Sequence, residues 1–130
     1  MIFGVCYLSS NIHVYHMDDI PAKSSFGTET KLFTVHQDSH GFHNGKTLLE
    51  HIRLNPNSEY GLQHHETSSE LIWVVQGSGY IQDDRGNRYR AIQGTLAYFE
   101  HGTRRGFITE NDGLTFISLK NTDFDWNYIK

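Results

Sequence analysis

The stretch QHHETSSELIWVVQGSG, from Gln63 to Gly79, contains two adjacent histidines and two glutamates ahead of an apolar run that ends in a Gly-Ser-Gly turn. The run from Leu71 to Gln76 has the length and composition of a β-strand. Histidine and carboxylate side chains at this spacing can hold a divalent cation, exchange protons, or pair with each other. The stretch therefore predicts a strand with a functional site at its start.

Working outward from this strand, turn signals recur about every ten residues, and no segment shows a convincing helical period. Residues 22–30 have the composition of a loop, and residues 37–45 form a second polar stretch that closes with Asn-Gly, a strong hairpin signal. Such regular spacing of short strands is typical of a β-sandwich or barrel. Strands are predicted over residues 1–8, 31–36, 47–54, 71–76, 80–83, 88–92, 96–99, 106–109 and 114–119, with a short further one in 11–20.

The composition limits the class of protein. A chain of 130 residues is long enough for one domain, and its net charge of −4 argues against a nucleic-acid-binding face. Cys6 is the only cysteine, so we expect no disulfide within the chain, no zinc–cysteine site and a reducing compartment. The N-terminus lacks a basic region and a long apolar core, so we predict neither signal peptide nor membrane span, and a cytoplasmic protein.

Two motifs around these strands resemble those of the cupin superfamily. Glu70 is followed by six residues and Gly77, as in the first cupin motif, and Gly94, Gly102 and Gly106 match the second. The resemblance covers roughly residues 45–120 and implies an all-β, cupin-type double-stranded β-helix, a jelly-roll barrel. It implies one cupin domain over 1–130, with strands and a loop in 1–44 and an aromatic tail in 121–130.

The chain departs from the cupin pattern at the metal ligands. Of the three histidines and one glutamate that cupins use, the alignment keeps His65 and Glu70, and it places Gln63 and Arg105 at the other two positions. A guanidinium has no lone pair to give to a metal ion. We therefore expect Arg105 either to form a bidentate salt bridge with Glu70 or to clamp an anionic ligand.

A metal site remains the alternative. If a divalent metal (Fe, Mn, Ni or Zn) is bound, the resemblance implies His65 and Glu70 with Gln63 or His64 as ligands. Because successive strand residues face opposite sides, only one of His64 and His65 can point inward. A register shift would select His64, with His101 or His51 as a third ligand.

The resemblance implies an enzyme of the isomerase, cyclase or lyase type that acts inside the barrel on a polar or anionic small molecule. In this reading His65 is the general acid or base, tuned by Glu70, and Arg105 stabilises negative charge on an oxygen. The candidate catalytic residues are thus His65, Glu70 and Arg105. The candidate substrate-binding residues are Gln63, Trp73, Tyr98 and His51.

Two other functions fit the same resemblance: a non-catalytic ligand-binding or sensing module, and a metal-dependent dioxygenase. We expect a small-molecule ligand and a homodimer, without nucleic-acid or membrane partners.

On the strand 47–54, either Glu50 or the pair His51 and Arg53 faces the barrel, because these residues alternate.

Overall fold

The computed structural model describes Ile12, Val14 and residues 16–33, 47–63 and 68–121. A 3-10 turn, Met17–Asp19, precedes eight antiparallel strands. The strands are β1 Lys23–Ser25, β2 Thr28–Phe33, β3 Thr47–Leu54, β4 Glu59–Gln63, β5 Ser69–Asp83, β6 Arg88–Ile92, β7 Leu96–Phe99 and β8 Arg105–Asn121. No helix in these ranges is long and apolar enough to cross a membrane.

Two long strands, β5 and β8, connect the two halves of the fold. Residues 69–77 of β5 pair with residues 114–121 of β8, and we call these the outer halves; β3 lies beside the outer half of β8 and β7 beside that of β5. The inner halves, residues 79–83 of β5 and 105–109 of β8, also pair with each other, with β6 beside β5 and β4 beside β8. The strand order β1-β2-β3-β8-β5-β6, with β4 paired to β8 and β7 paired to β5, produces the expected jelly-roll barrel.

Much of the interior is built by residues that alternate along the strands. On β5, for example, Glu70, Ile72 and Val74 are buried, whereas Leu71 and Trp73 between them are exposed. The two halves of β8 face each other, since the rings of Phe107 and Phe116 stack with centroids 5.1 Å apart. The buried apolar residues are Leu54, Ile72, Val74, Ile81, Ala91, Phe99, Leu114 and Phe116.

The bend of β5 depends on glycine. The register of the β5–β8 pairing shifts between Val74 and Gln76 and again between Gly77 and Gly79, where β5 passes from one half of the fold to the other. A Cβ atom at Gly79 would clash with the backbone carbonyl of Ile108 on β8. A side chain at this position would therefore separate the two long strands.

Several strand predictions are confirmed, and others are wrong. The structure reproduces the predicted strands 47–54, 88–92 and 96–99 with the same bounds. The predicted loop 22–30 is instead a hairpin of β1 and β2, whose two-residue turn puts Phe26 and Gly27 at positive φ. The strand β4 was not predicted, and within 11–20 the described residues form a turn and no strand. The predicted strand 1–8 and the predicted loop 37–45 lie outside the described residues.

Replacing Gly79 by alanine tests the close approach of β5 and β8. We expect Gly79→Ala to lower the free energy of unfolding by about 1–3 kcal/mol or more, because the added methyl group overpacks the bend. Gly61→Ala on β4 is the matched control, since a Cβ there meets nothing within 4 Å. Urea denaturation of both variants measures the difference, and equal losses would contradict the role of Gly79.

Candidate functional site

A buried ion pair joins the two halves of the barrel. Arg105 Nη2 donates to Glu70 Oε1, and the Ser118 hydroxyl donates to Glu70 Oε2. Glu70 is 5% exposed and Arg105 6% exposed. The predicted salt bridge is thus confirmed. It is not the predicted bidentate pair, because Ser118 takes the second carboxylate oxygen.

The strand register brings these residues together. Glu70 begins the outer half of β5 and lies opposite Lys120 on β8, while Arg105 begins β8 and lies opposite Gln63 on β4. The guanidinium of Arg105 also stacks over the ring of Phe99, with its Cζ 4.9 Å from the ring centroid. Arg105 is therefore held by a carboxylate on one strand and an aromatic ring on another.

A second ion pair lies beside the first. Lys120 Nζ is 2.9 Å from Glu50 Oε1, and both side chains are more than four-fifths buried. On β3 it is thus Glu50 that faces the interior, and His51 and Arg53 face outward, which decides between the two alternatives left open by the sequence. Glu50, Glu70, Arg105 and Lys120 place two negative and two positive charges in one end of the barrel.

Glu70, Arg105 and Lys120 border an inner cavity of about 140 Å³. For comparison, an engineered protein cavity of about 150 Å³ accepts benzene. Its lining combines charged and polar groups with apolar groups that include Phe107 and Phe116. The lining residues are Thr28, Ile52, Leu54, Tyr60, Gly61, Gln63, Glu70, Arg105, Phe107, Phe116 and Lys120.

Of the candidate residues, the structure brings together Gln63, Glu70 and Arg105 at this cavity. His64 and His65 lie outside the described residues. The three other substrate-binding candidates, His51, Trp73 and Tyr98, do not line this cavity. Trp73 and Tyr98 are 53% and 64% exposed on the outer side of their strands, because each alternates with a buried neighbour.

His51 lies on the outer face of β3, in a shallow pocket with Met17, Ile20 and Ile117. Burial lowers the pKa of its imidazole, and the positive charges of Arg53 and Lys31 lower it further against the opposing effect of Glu29. Its Nδ1 atom is buried without a hydrogen-bond partner in the described part of the chain. The His51 imidazole is therefore favoured in its neutral form on a face remote from the cavity.

Glu70 and Arg105, two of the described residues at the expected metal position, do not fit a metal ion. Both carboxylate oxygens of Glu70 already accept hydrogen bonds, and the opposite position holds the permanently charged guanidinium of Arg105. Within the described residues, no group of three His, Cys, Asp or Glu side chains is placed to hold a metal. The salt bridge occupies the place that a metal and its ligands would take.

Comparisons with known proteins agree with this architecture. The structure matches an RmlC-like cupin from Shewanella frigidimarina with a TM-score of 0.67 at 14% identity, over 89% of this chain and 96% of that one. In sequence, the chain is 30% identical over 104 residues to an L-ectoine synthase of Mycobacterium sp. (strain KMS), covering 79% of this chain and 73% of the relative. The chain belongs to the cupin superfamily.

A second structural neighbour of this cupin is the polyketide cyclase RemF from Streptomyces resistomycificus. Its TM-score is 0.72 at 18% identity, over 86% of this chain and 80% of that one. No family model matches the sequence. The sequence similarity to the L-ectoine synthase thus confirms the family predicted from the two motifs. These two solved structures are at most 18% identical to this chain, so they establish the fold alone.

Sequence reasoning missed two residues of the site, Ser118 and Lys120. Their signal was present in the last strand, where Phe116, Ser118 and Lys120 alternate with Ile117 and Leu119. A polar side chain at an inward position of an otherwise apolar strand marks either a strand end or a buried partner. Ser118 and Lys120 lie outside both cupin motifs, which contain Glu70 and Arg105.

Breaking the buried pair tests its contribution to stability. Arg105→Met leaves the Glu70 carboxylate buried without its cation, so we expect the free energy of unfolding to fall by about 3–5 kcal/mol. The double variant Arg105→Met/Glu70→Leu removes both charges, and we expect it to recover much of this loss. Arg90→Met, which breaks an exposed pair with Glu110, is the control and leaves stability nearly unchanged. Strictly additive losses in the double variant would contradict the coupling.

The lowered pKa of His51 predicts a pH dependence of stability. The unfolded chain, with an imidazole pKa near 6.5, binds a proton more readily than the folded chain. Folding is therefore progressively disfavoured as the pH falls through and below that value. His51→Gln lacks this effect, so its stability relative to the wild type should improve between pH 7.5 and pH 5 in urea denaturation. A constant difference across this range would show that His51 titrates alike in both states.

Proposed function

We propose that this cupin is a small-molecule-processing enzyme of the cyclase, isomerase or lyase type that acts on a polar or anionic substrate in the inner cavity. The observation that carries the proposal is a set of two ion pairs, Glu70–Arg105 and Glu50–Lys120, in which Glu70, Arg105 and Lys120 line a cavity of small-molecule size. Buried charges cost free energy, so their concentration around one cavity favours a chemical role over a purely structural one.

The two cations have the contacts that a substrate oxygen would need. Lys120 uses one of its three N–H donors on Glu50, and among the described residues the other two have no partner and can bind a ligand in the cavity. Arg105 gives Nη2 to Glu70, and its Nη1 makes only a long contact of 3.4 Å with the Thr103 carbonyl. Negative charge that develops on a substrate oxygen between them would be stabilised in a site of low dielectric.

The carboxylates have a supporting role in this proposal. Both oxygens of Glu70 face donors from Arg105 and Ser118, so Glu70 positions the guanidinium and does not itself exchange a proton with substrate. Glu50 fixes Lys120 in the same way. Lys120 is then the proton donor or hydrogen-bond donor to the substrate, Arg105 stabilises the charge, and Gln63 at the cavity wall supplies an amide for orientation.

The relatives support the reaction class. One is named an L-ectoine synthase and a structural neighbour is named a polyketide cyclase. These names describe enzymes that act on small molecules within the same fold. Since function follows from the site and not from the fold, the relatives support the proposal without defining the substrate.

Replacing Lys120 tests the proposal. The intact protein is incubated with a library of small carboxylates and polar metabolites, with and without added divalent metal, and consumption is followed by mass spectrometry. For a compound that is consumed, we expect Lys120→Met to lower the rate by about 100-fold or more, in the range found for loss of a general acid. Lys23→Met, at an exposed position on β1, should retain the wild-type rate.

Two outcomes would contradict an acid–base enzyme of this kind. Equal rates for Lys120→Met and the wild type would exclude Lys120 from the reaction. Saturable binding of a compound that is never consumed would support the alternative of a ligand-binding module.

A further inference from the structure

A second opening lies between the edges of β6 and β7. In the described part of the chain each of these strands pairs with β5 alone, β7 with its outer half and β6 with its inner half. Between the described strands, the barrel is therefore open along this side. The resulting cleft has a volume of about 360 Å³, against about 140 Å³ for the inner cavity. It reaches the lower end of the range of about 300–1,000 Å³ that is usual for ligand pockets.

The floor of the cleft is apolar, and one wall is aromatic. Ile81 and Phe99, both buried, and Ala97 form part of its lining. Tyr89 pairs with Ile81 across β5 and β6, so its side chain lies on the same face of the sheet, where it is 53% exposed. Its hydroxyl is held 3.2 Å from Asp83 Oδ2, which fixes the ring. A flat apolar molecule can stack on such a surface.

The positive charge that lines the cleft comes from arginines. Arg104 lines the cleft and is exposed, and its side chain makes no ion pair or hydrogen bond within the described residues. Arg105 lines it too and separates it from the inner cavity. Arg90 is already bound to Glu110 at 2.8 Å.

The one carboxylate in the lining, Asp83, is already satisfied. It accepts from the backbone N–H groups of Arg85 and Asn87, from the Asn87 amide and from the Tyr89 hydroxyl. The hydrogen bond to Asp83 raises the pKa of Tyr89, which keeps the phenol neutral beside an anion. Four donors fill the acceptor sites of one carboxylate, so Asp83 offers little to a ligand.

We propose that this cleft is a second ligand site, distinct from the inner cavity, for a flat apolar molecule that carries one carboxylate. The apolar body packs on Phe99, Ile81 and the Tyr89 ring, and the carboxylate is bound by Arg104 at the rim, next to Arg105. The site goes beyond the proposed reaction, because none of its side chains except Arg105 borders the inner cavity.

The test uses 2-naphthoate as the probe and 2-naphthamide as its uncharged match, titrated into the intact protein by calorimetry. We expect saturable binding of the acid, and binding of the amide at least about tenfold weaker, because only the acid makes charge-assisted hydrogen bonds. Arg104→Gln should weaken the acid about tenfold. Arg88→Gln, which removes an equal charge from β6 outside the cleft lining, should leave the affinity unchanged.

Lys120→Met separates this proposal from the proposed function, because it alters the inner cavity alone. Retained binding of 2-naphthoate by Lys120→Met, together with its loss in Arg104→Gln, supports the cleft site whether or not the reaction is found. The proposal is overturned if the acid shows no saturable binding at millimolar concentration or if acid and amide bind equally. It is also overturned if Arg104→Gln binds the acid as tightly as the wild type and Arg88→Gln do. Loss of binding in Lys120→Met instead would assign the probe to the inner cavity and overturn it as well.

Discussion

The contact between Arg105 and Glu70 is the interaction on which the interior of this cupin depends. An isolated charge in a protein core costs several kcal/mol of desolvation, so neither side chain is tolerated there without the other. The pair is completed by Ser118 on the carboxylate and by the ring of Phe99 under the guanidinium. Four residues from β5, β7 and the two halves of β8 therefore have to meet at one point, which fixes how the two halves of the barrel face each other.

This meeting point requires the long strands to bend. The inner half of β8 carries Arg105 and the outer half carries Ser118, and both can reach Glu70 only because β8 folds back across the core. Gly79 permits the matching bend in β5, where a side chain would strike the backbone of β8. The constraint is geometric, since backbone atoms of the two strands leave no space for a Cβ.

Arg105 lines two openings. The first is the inner cavity, which it shares with Glu70, Gln63 and Lys120, and the second is the cleft between β6 and β7. In a cupin with a metal at this position the site would be organised by the metal's ligands. Here it is organised by a fixed cation with its own counter-ion, which favours anionic or oxygen-rich ligands over bare metal ions.

The sequence by itself determined the strands with clear alternation and turn signals, the cupin family, and the opposition of Glu70 and Arg105, because these follow from local patterns and motif spacing. It missed the hairpin of β1 and β2, whose Phe26-Gly27 turn lacks the usual Asn-Gly signal, and the strand β4, whose five residues are too few for a clear period. It also named His51, Trp73 and Tyr98 as candidate substrate-binding residues, whereas none of the three lines the inner cavity. Only the tertiary structure decided which face of each strand points inward and which residues meet across the barrel, since a shift of one residue in register reverses every side chain. Ser118, Lys120 and the inward position of Glu50 belong to this second class, because their partners are distant in sequence and their proximity depends on the strand pairings.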